Sequence, residues 1–256
     1  MNAAPTRAWR GEGEALLRLR LTRPKANILD AAMIAALNAG LTAGLASGPT
    51  LAVLIDAEGP HFSFGASVEE HLPAHCTTML HDFHALLLRL LALPVPVLFA
   101  VQGQCLGGGL ELALTGSRIF AAPDATFGQP EIKLGVFAPA ASALLAERIS
   151  RPVAEDMLLT GRSIGAEEAH GLGLVDTLAA DPGRAAELWF EAQLADKSAA
   201  ALAHAMTAAR GELIARVRAR LAALERLYLD DLMQTRDALA GLQAFLAKRT
   251  PHWEHR

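Results

Sequence analysis

Cysteine is almost missing from this 256-residue chain. Its two copies, Cys76 and Cys105, form no C-x-x-C pair. A disulfide framework is therefore not expected, and a reducing, cytoplasmic compartment fits. Long apolar runs are missing too. Residues 84–101, "HALLLRLLALPVPVLFAV", come nearest to the roughly 18 uncharged residues of a membrane span, but Arg89 and two prolines interrupt them. The opening stretch 1–21 has no apolar core of signal-peptide length before its charges resume, so no secretory leader is expected. The net charge is only −4, which gives a nucleic-acid partner no electrostatic support. Three motifs are absent as well: the phosphate-binding G-x-x-x-x-G-K-[ST], the dinucleotide G-x-G-x-x-G and the nucleophile elbow G-x-S-x-G. No internal repeat or low-complexity linker is visible, although alanine is abundant.

What is present is apolar and alternating. Residues of hydrophobic type make up 52% of the chain, enough for a full core in one domain or a domain with an appendage. "ALLRLRL" (15–21) alternates apolar and basic residues as a half-buried strand does. Residues 30–46 repeat apolar positions at helical spacing and open on Asp30, a good N-cap. Strands are expected at 50–58, 96–103 and 117–123, and helices at 78–93 and 110–115. This is an α/β pattern. From about residue 152 the pattern reads as helical. An α/β core is therefore placed at 1–195 and a helical C-terminal region at 196–256. The latter carries Leu221, Leu224, Leu227, Leu229 and Leu232, more apolar surface than a small appendage buries alone, and a homo-oligomer is expected.

The most informative stretch is 102–135, "QGQCLGGGLELALTGSRIFAAPDATFGQPEIKLG". Gly107, Gly108 and Gly109 precede an apolar helical run with one carboxylate, Glu111. A second, Glu131, follows in the context Gly-Gln-Pro-Glu, 131 − 111 = 20 residues later. Glycine permits positive φ and close approach to a ligand. At a strand-to-helix turn the first N–H groups lack intrahelical partners and face outward. With the phosphate motifs absent, one reading is a site for an oxygen that gains charge during reaction, next to a carboxylate. The other is tight helix–strand packing with glycines chosen for size, and a Glu131 that is only a surface residue after a proline turn.

"GQCLGGGLELAL" followed by "ATFGQPEIKLG" resembles the crotonase superfamily, the enoyl-CoA hydratases and isomerases. The likeness extends through "LTRPKANILDAAMIAAL", "GPHFSFGASVEE", "LLTGRSIGAEEAHGLGLVD" and "LAGLQAFLAKRTPHW", nearly the whole chain. It implies a spiral of ββα units with a helical C-terminal region, assembled as a homotrimer or homohexamer. It implies an acyl-CoA thioester as substrate, with coenzyme A part of that substrate rather than a cofactor. It implies an oxyanion hole from the backbone N–H groups of Ala66 and Gly108. It implies a hydratase pair, with Glu111 activating water and Glu131 acting as acid. By the same likeness Phe245 and Lys248 reach the adenine end of coenzyme A from a neighbouring subunit. The basic residues near the expected mouth are Arg23, Lys25, Lys248 and Arg249, with solvated helix charges as the other reading of them. Neither a nucleic acid nor a membrane is expected as partner.

Two features are specific to this chain. Where many family hydratases have glycines after the second glutamate, this one has "VFAPAASALLAERI", with bulk at Val136, Phe137, Ala138 and Pro139. Together with "FSFGASVEEHLP" and "KANILDAAMI", this resembles a branch that hydrates a ring diene thioester in anaerobic benzoyl-CoA degradation, with Phe137 as a ring wall. A hydratase for linear or other alicyclic enoyl-CoA, and a non-catalytic scaffold that keeps only the fold, remain the alternatives. Second, His61, His71, His75, His81 and His84 crowd into 84 − 61 + 1 = 24 residues with Cys76 among them. No pair has a full zinc-motif spacing, so no metal is expected; a pocket or lid role suits His71.

Overall fold

The computed structural model describes residues 4–11 and 15–256. Residues 1–3 and 12–14, part of the stretch read for a leader, lie outside the described residues. The strands are β1 (Thr6–Trp9), β2 (Leu16–Leu21), β3 (Ala52–Ala57), β4 (Val97–Val101), β5 (Gln104–Leu106), β6 (Arg118–Ala121), β7 (Thr126–Gly128), β8 (Ser163–Gly165) and β9 (Thr177–Leu178). The helices are α1 (Ala31–Ala46), α2 (Cys76–Leu91), α3 (Gly108–Leu114), α4 (Pro139–Leu144), α5 (Arg151–Thr160), α6 (Ala166–Gly171), α7 (Pro182–Gln193), α8 (Ala199–Arg226) and α9 (Arg236–Leu246).

Six strands form the main sheet in the order β1-β2-β3-β4-β6-β9. The β1–β2 pair is antiparallel and the other pairs are parallel. The alternation of β2 is used as expected. Leu17, Leu19 and Leu21 enter the main core, while Arg20 faces its cross-strand partner Asp56 and donates to Oδ1 at 2.8 Å. Strand β3 is buried on both faces, as a parallel strand covered by helices must be. Val53 and Ile55 meet the core of α1 and α2; Ala52 and Leu54 meet Phe190 of α7. Asp30 caps α1 by accepting from Met33 N at 2.8 Å.

The second sheet, in the order β5-β7-β8, is what the sequence reading missed. Its strands are three residues each, too short to show a period. With it the repeated unit appears: β4 turns into β5 and then α3, and β6 turns into β7 and then α4. The helical reading from residue 152 is corrected by β8 and β9, which interrupt it. Helix α3 starts at Gly108, inside the glycine run rather than after it. Helix α8 ends at Arg226, where a π turn (Leu227–Asp231) and a 3-10 turn (Leu232–Gln234) replace the continuous helix expected there.

The C-terminal segment closes over the core. Val217 and Leu221 of α8 are part of the main core, and Leu224 packs against it. Tyr228, Ala238 and Leu242 form a third cluster with Cys76, Met79, Leu80 and Val136, with Leu229 and Leu232 packed on it. Of the five leucines read as surplus, only Leu227 is exposed, at 47%. The others are spent inside the chain.

Candidate active site

Three extended segments lie side by side and deliver the site. Ser63 N donates to Gln104 O at 3.0 Å, and Leu106 N returns to Ser63 O at 3.0 Å, so "SFGA" runs along β5. On the other side β5 pairs in parallel with β7, Leu106 opposite Gly128. Each segment then ends in a functional element: Ala66 after the first, the glycine run and Glu111 after β5, and Glu131 after β7. Parallel pairing in register is why two carboxylates twenty residues apart meet.

The loop before Ala66 is locked from behind. Asn27, fully buried, donates from Nδ2 to Glu58 O and His61 O, both at 3.0 Å. Ser63 Oγ donates to Asn27 O at 2.8 Å and accepts from Gly65 N at 3.1 Å. Neither residue was singled out in the sequence, because a polar residue in a loop has no periodicity to betray it.

Each glycine of the run has a separate task. Gly107 has φ 51°, the left-handed region, and its N–H donates to Gly128 O at 2.9 Å. A Cβ there would also stand 2.3 Å from Glu131 Oε1. Gly108 is the first residue of α3; a Cβ there would approach Ala66 N to 3.0 Å, so the two backbones nearly touch. Gly109 is packed on Ser63, whose Cβ would be 2.8 Å from an added methyl. The N–H groups of Ala66 and Gly108 find no acceptor among the described residues. Two adjacent donors, one at the start of α3 and one in the extended Ala66 loop, suit an oxygen that gains negative charge.

The carboxylates differ in environment. Glu111 is 5% exposed, and its Oε1 accepts from Ala141 N at 2.8 Å. Burial raises its pKa; the Ala141 N–H, and His84 whenever its ring is protonated, oppose that rise. Glu131 is half-buried. Burial first, and then the charge of Glu111, push its pKa to about 8. The buried Gln129 lies against both Gly107 O and Glu131; with its amide nitrogen turned to Glu131 it donates to Oε2 at 2.9 Å. Two carboxyl groups in one site do not both ionise readily. Here burial and the charge of Glu111 favour the protonated form of Glu131.

A cavity of about 380 Å³ opens in front of these groups, bounded among others by Ala66, Gly107, Glu131 and Phe245. A smaller pocket of about 20 Å³ lies further in, where Ala66, Gly108, Glu111, Glu131 and Phe137 come together. Phe137 also packs edge-on against Tyr228, centroids 5.3 Å apart. Phe245 lines this chain's own cavity, where a neighbouring subunit was the expected recipient. Lys248 does not line it; Arg249 and Lys133 do. Arg249 is the one of the four expected mouth residues that lines it, and Lys133, in the same turn as Glu131, was not singled out in the sequence. Lys25 is exposed on the turn after β2 and lines neither pocket. Arg23 is tied to Asp30, its Nη1 donating to Oδ2 at 2.7 Å.

Two of the histidines, His71 and His84, meet at the inner pocket, and the others do not line it. His61 accepts from Gln104 N at 3.2 Å, and His81 is exposed. His71 lines both pockets; its Nδ1 donates to Ser67 O at 2.7 Å, and burial lowers its pKa, keeping it neutral. Among the described residues no three His, Cys, Asp or Glu side chains converge to hold a metal. No helix among them is long and apolar enough to cross a membrane.

Comparison with known proteins agrees with this geometry. A family model described as enoyl-CoA hydratase/isomerase matches residues 11–256. The chain is 54% identical over 254 residues to cyclohexa-1,5-dienecarbonyl-CoA hydratase of Thauera aromatica, covering 99% of this chain and 98% of that one. It is 34% identical over 245 residues to 2,3-dehydroadipyl-CoA hydratase of Escherichia coli (strain K12), covering 94% and 96%. A crystal structure of an enoyl-CoA hydratase from Mycobacterium avium subsp. paratuberculosis K-10 shares the fold with a TM-score of 0.84 at 26% identity, covering 98% of this chain and 99% of that one.

Proposed function

The chain belongs to the enoyl-CoA hydratase/isomerase family, and from that premise we propose that it adds water to cyclohexa-1,5-diene-1-carbonyl-CoA, forming 6-hydroxycyclohex-1-ene-1-carbonyl-CoA. The observation that carries the chemistry is the meeting, at one inner pocket, of two N–H donors without an acceptor among the described residues, Ala66 and Gly108, and two carboxyl groups, Glu111 and Glu131. The 54% identity to the Thauera aromatica enzyme supports the ring diene over a linear enoyl chain.

In this reading the thioester oxygen sits between the Ala66 and Gly108 N–H groups. Each such donor is worth about 3 kcal/mol of barrier. Glu111 takes a proton from water, and the water oxygen bonds to the ring carbon β to the carbonyl. Electrons move through the thioester and the second double bond as a dienolate. Glu131 then protonates the far end of the diene, a 1,4-addition that leaves one double bond conjugated with the carbonyl. Phe137 supports this geometry as a flat wall beside both carboxyl groups. Lys133 and Arg249 at the outer cavity suit the phosphates of coenzyme A. Coenzyme A belongs to the substrate, and the proposed chemistry calls for no other cofactor or metal. The reading also takes the protein as cytoplasmic and as a homotrimer or homohexamer. Its support for assembly is the family likeness and the exposed Leu159 and Leu227, now that the other C-terminal leucines are accounted for.

Turnover of the cyclic dienoyl-CoA and of crotonyl-CoA under one condition tests the proposal. The expected preference for the ring is at least about tenfold in kcat/KM, near 1.4 kcal/mol. Equal efficiency would return the chain to a general enoyl-CoA hydratase, and no turnover of either would favour a binding scaffold.

A further inference from the structure

The inner pocket, at about 20 Å³, has room for one water-sized molecule. Its polar side chains are Glu111, Glu131, His71 and His84. His84 is the one without a task so far. It sits on α2 at 2% exposure, and its Nε2 is buried with no hydrogen-bond partner among the described residues. A buried ring nitrogen left in that state is costly, so its retention calls for a partner that comes and goes with the reaction. The other nitrogen is firmly held: Nδ1 lies 2.5 Å from Glu225 Oε1 of α8. Glu225 is itself shared with the exposed His81, at 3.5 Å. A carboxylate oxygen only accepts, so Nδ1 carries the proton. In the neutral ring Nε2 is then an acceptor.

We propose that His84 is a third catalytic residue of the site, its Nε2 accepting one hydrogen of the attacking water while Glu111 takes the other, and that Glu225 is the positioning residue that fixes the ring. The proposal rests on the hydratase reading. A water held by one acceptor can still turn about that bond. A second acceptor fixes where its lone pair points, and orientation of this kind is worth large factors in rate. Glu131 holds its own proton for delivery, which leaves His84 to supply that acceptor. The step balances. The water oxygen bonds to the β carbon, and the O–H bond facing Glu111 breaks. That proton goes to Glu111, and Glu131 gives its proton to the far carbon. The hydrogen held by His84 stays on the product hydroxyl. Proton transfer from Glu111 back to Glu131 through water resets the site.

The test compares two reactions of the whole enzyme. One is hydration of the cyclic dienoyl-CoA. The other is exchange of the ring hydrogen γ to the carbonyl of cyclohex-1-ene-1-carbonyl-CoA for solvent deuterium; this uses Glu131 and the N–H pair but no attacking water. His84→Phe is expected to lower hydration kcat by about thirtyfold or more, with KM and exchange staying within about threefold of the parent. Hydration within threefold of the parent overturns the proposal. Exchange falling in step with hydration also overturns it, because His84 would then be only structural. Glu225→Leu should repeat the hydration-selective loss, and Glu225→Gln, which keeps an acceptor for Nδ1, should recover most of it. Equal loss in both removes the role given to Glu225. A parent enzyme that hydrates neither dienoyl- nor enoyl-CoA refutes the hydratase reading instead, whatever the variants do.

Discussion

The Glu131 carboxyl lies directly over the backbone of Gly107, so close that a Cβ on residue 107 would stand 2.3 Å from Oε1. The left-handed φ of 51° adds a second reason for glycine there. Gly107→Ala should therefore displace the acid and strain the turn together. The expected result is a loss of about a hundredfold in kcat, with a folded protein by circular dichroism and a lowered Tm. Gly108→Ala is a useful contrast, because its methyl would press on the Ala66 N–H instead.

The two carboxyl groups hold separate proton-transfer tasks in the proposed mechanism. Glu111→Gln and Glu131→Gln should each cost about a hundredfold to ten-thousandfold in kcat while a product-like CoA thioester still binds. Isothermal titration alongside turnover separates the two quantities. Near-normal kcat in Glu131→Gln would move the acid to another residue.

The pH dependence follows from burial. Glu131, raised to about 8, is protonated and competent as an acid below that value and loses competence above it. Glu111, raised by burial, must be ionised to act as base, so activity also falls as pH drops through its range. A bell-shaped kcat/KM profile is expected, its descending limb near pH 8. The two apparent values belong to the pair rather than to either residue. Glu131→Gln should lose the descending limb from whatever activity remains; a limb that persists there assigns that titration elsewhere.

Much of the fold was legible where the chain is long and periodic. The buried run of β3, the alternation in β2 and the Asp30 cap of α1 each follow from local chemistry, and all three stand in the structure. The second sheet was not legible, since "QCL", "TFG" and "SIG" are three residues each and are held by register rather than by pattern. The end of α8 was hidden for a different reason. Leu227 and Leu229 continue a helical spacing, but burial of Tyr228 against Phe137 and His71 pulls the chain into a π turn. In the site, Glu111, Glu131 and the glycines carry a recognisable spacing. Asn27, Ser63 and Gln129 do not, because their partners are backbone atoms or groups distant in sequence. Lys25 and Lys248 show the converse: a charge close in sequence to a cavity need not face it, whereas Lys133 and Arg249 do line it.

The six-residue helix α4 joins two jobs that many enzymes keep apart. Its third residue holds Glu111 through Ala141 N, and the two residues before it, Phe137 and Ala138, wall the inner pocket. One short segment thus shapes the inner pocket and fixes where the Glu111 carboxyl stands. A substitution that reshapes the wall is therefore expected to shift Glu111 as well, so wall and carboxylate position change together.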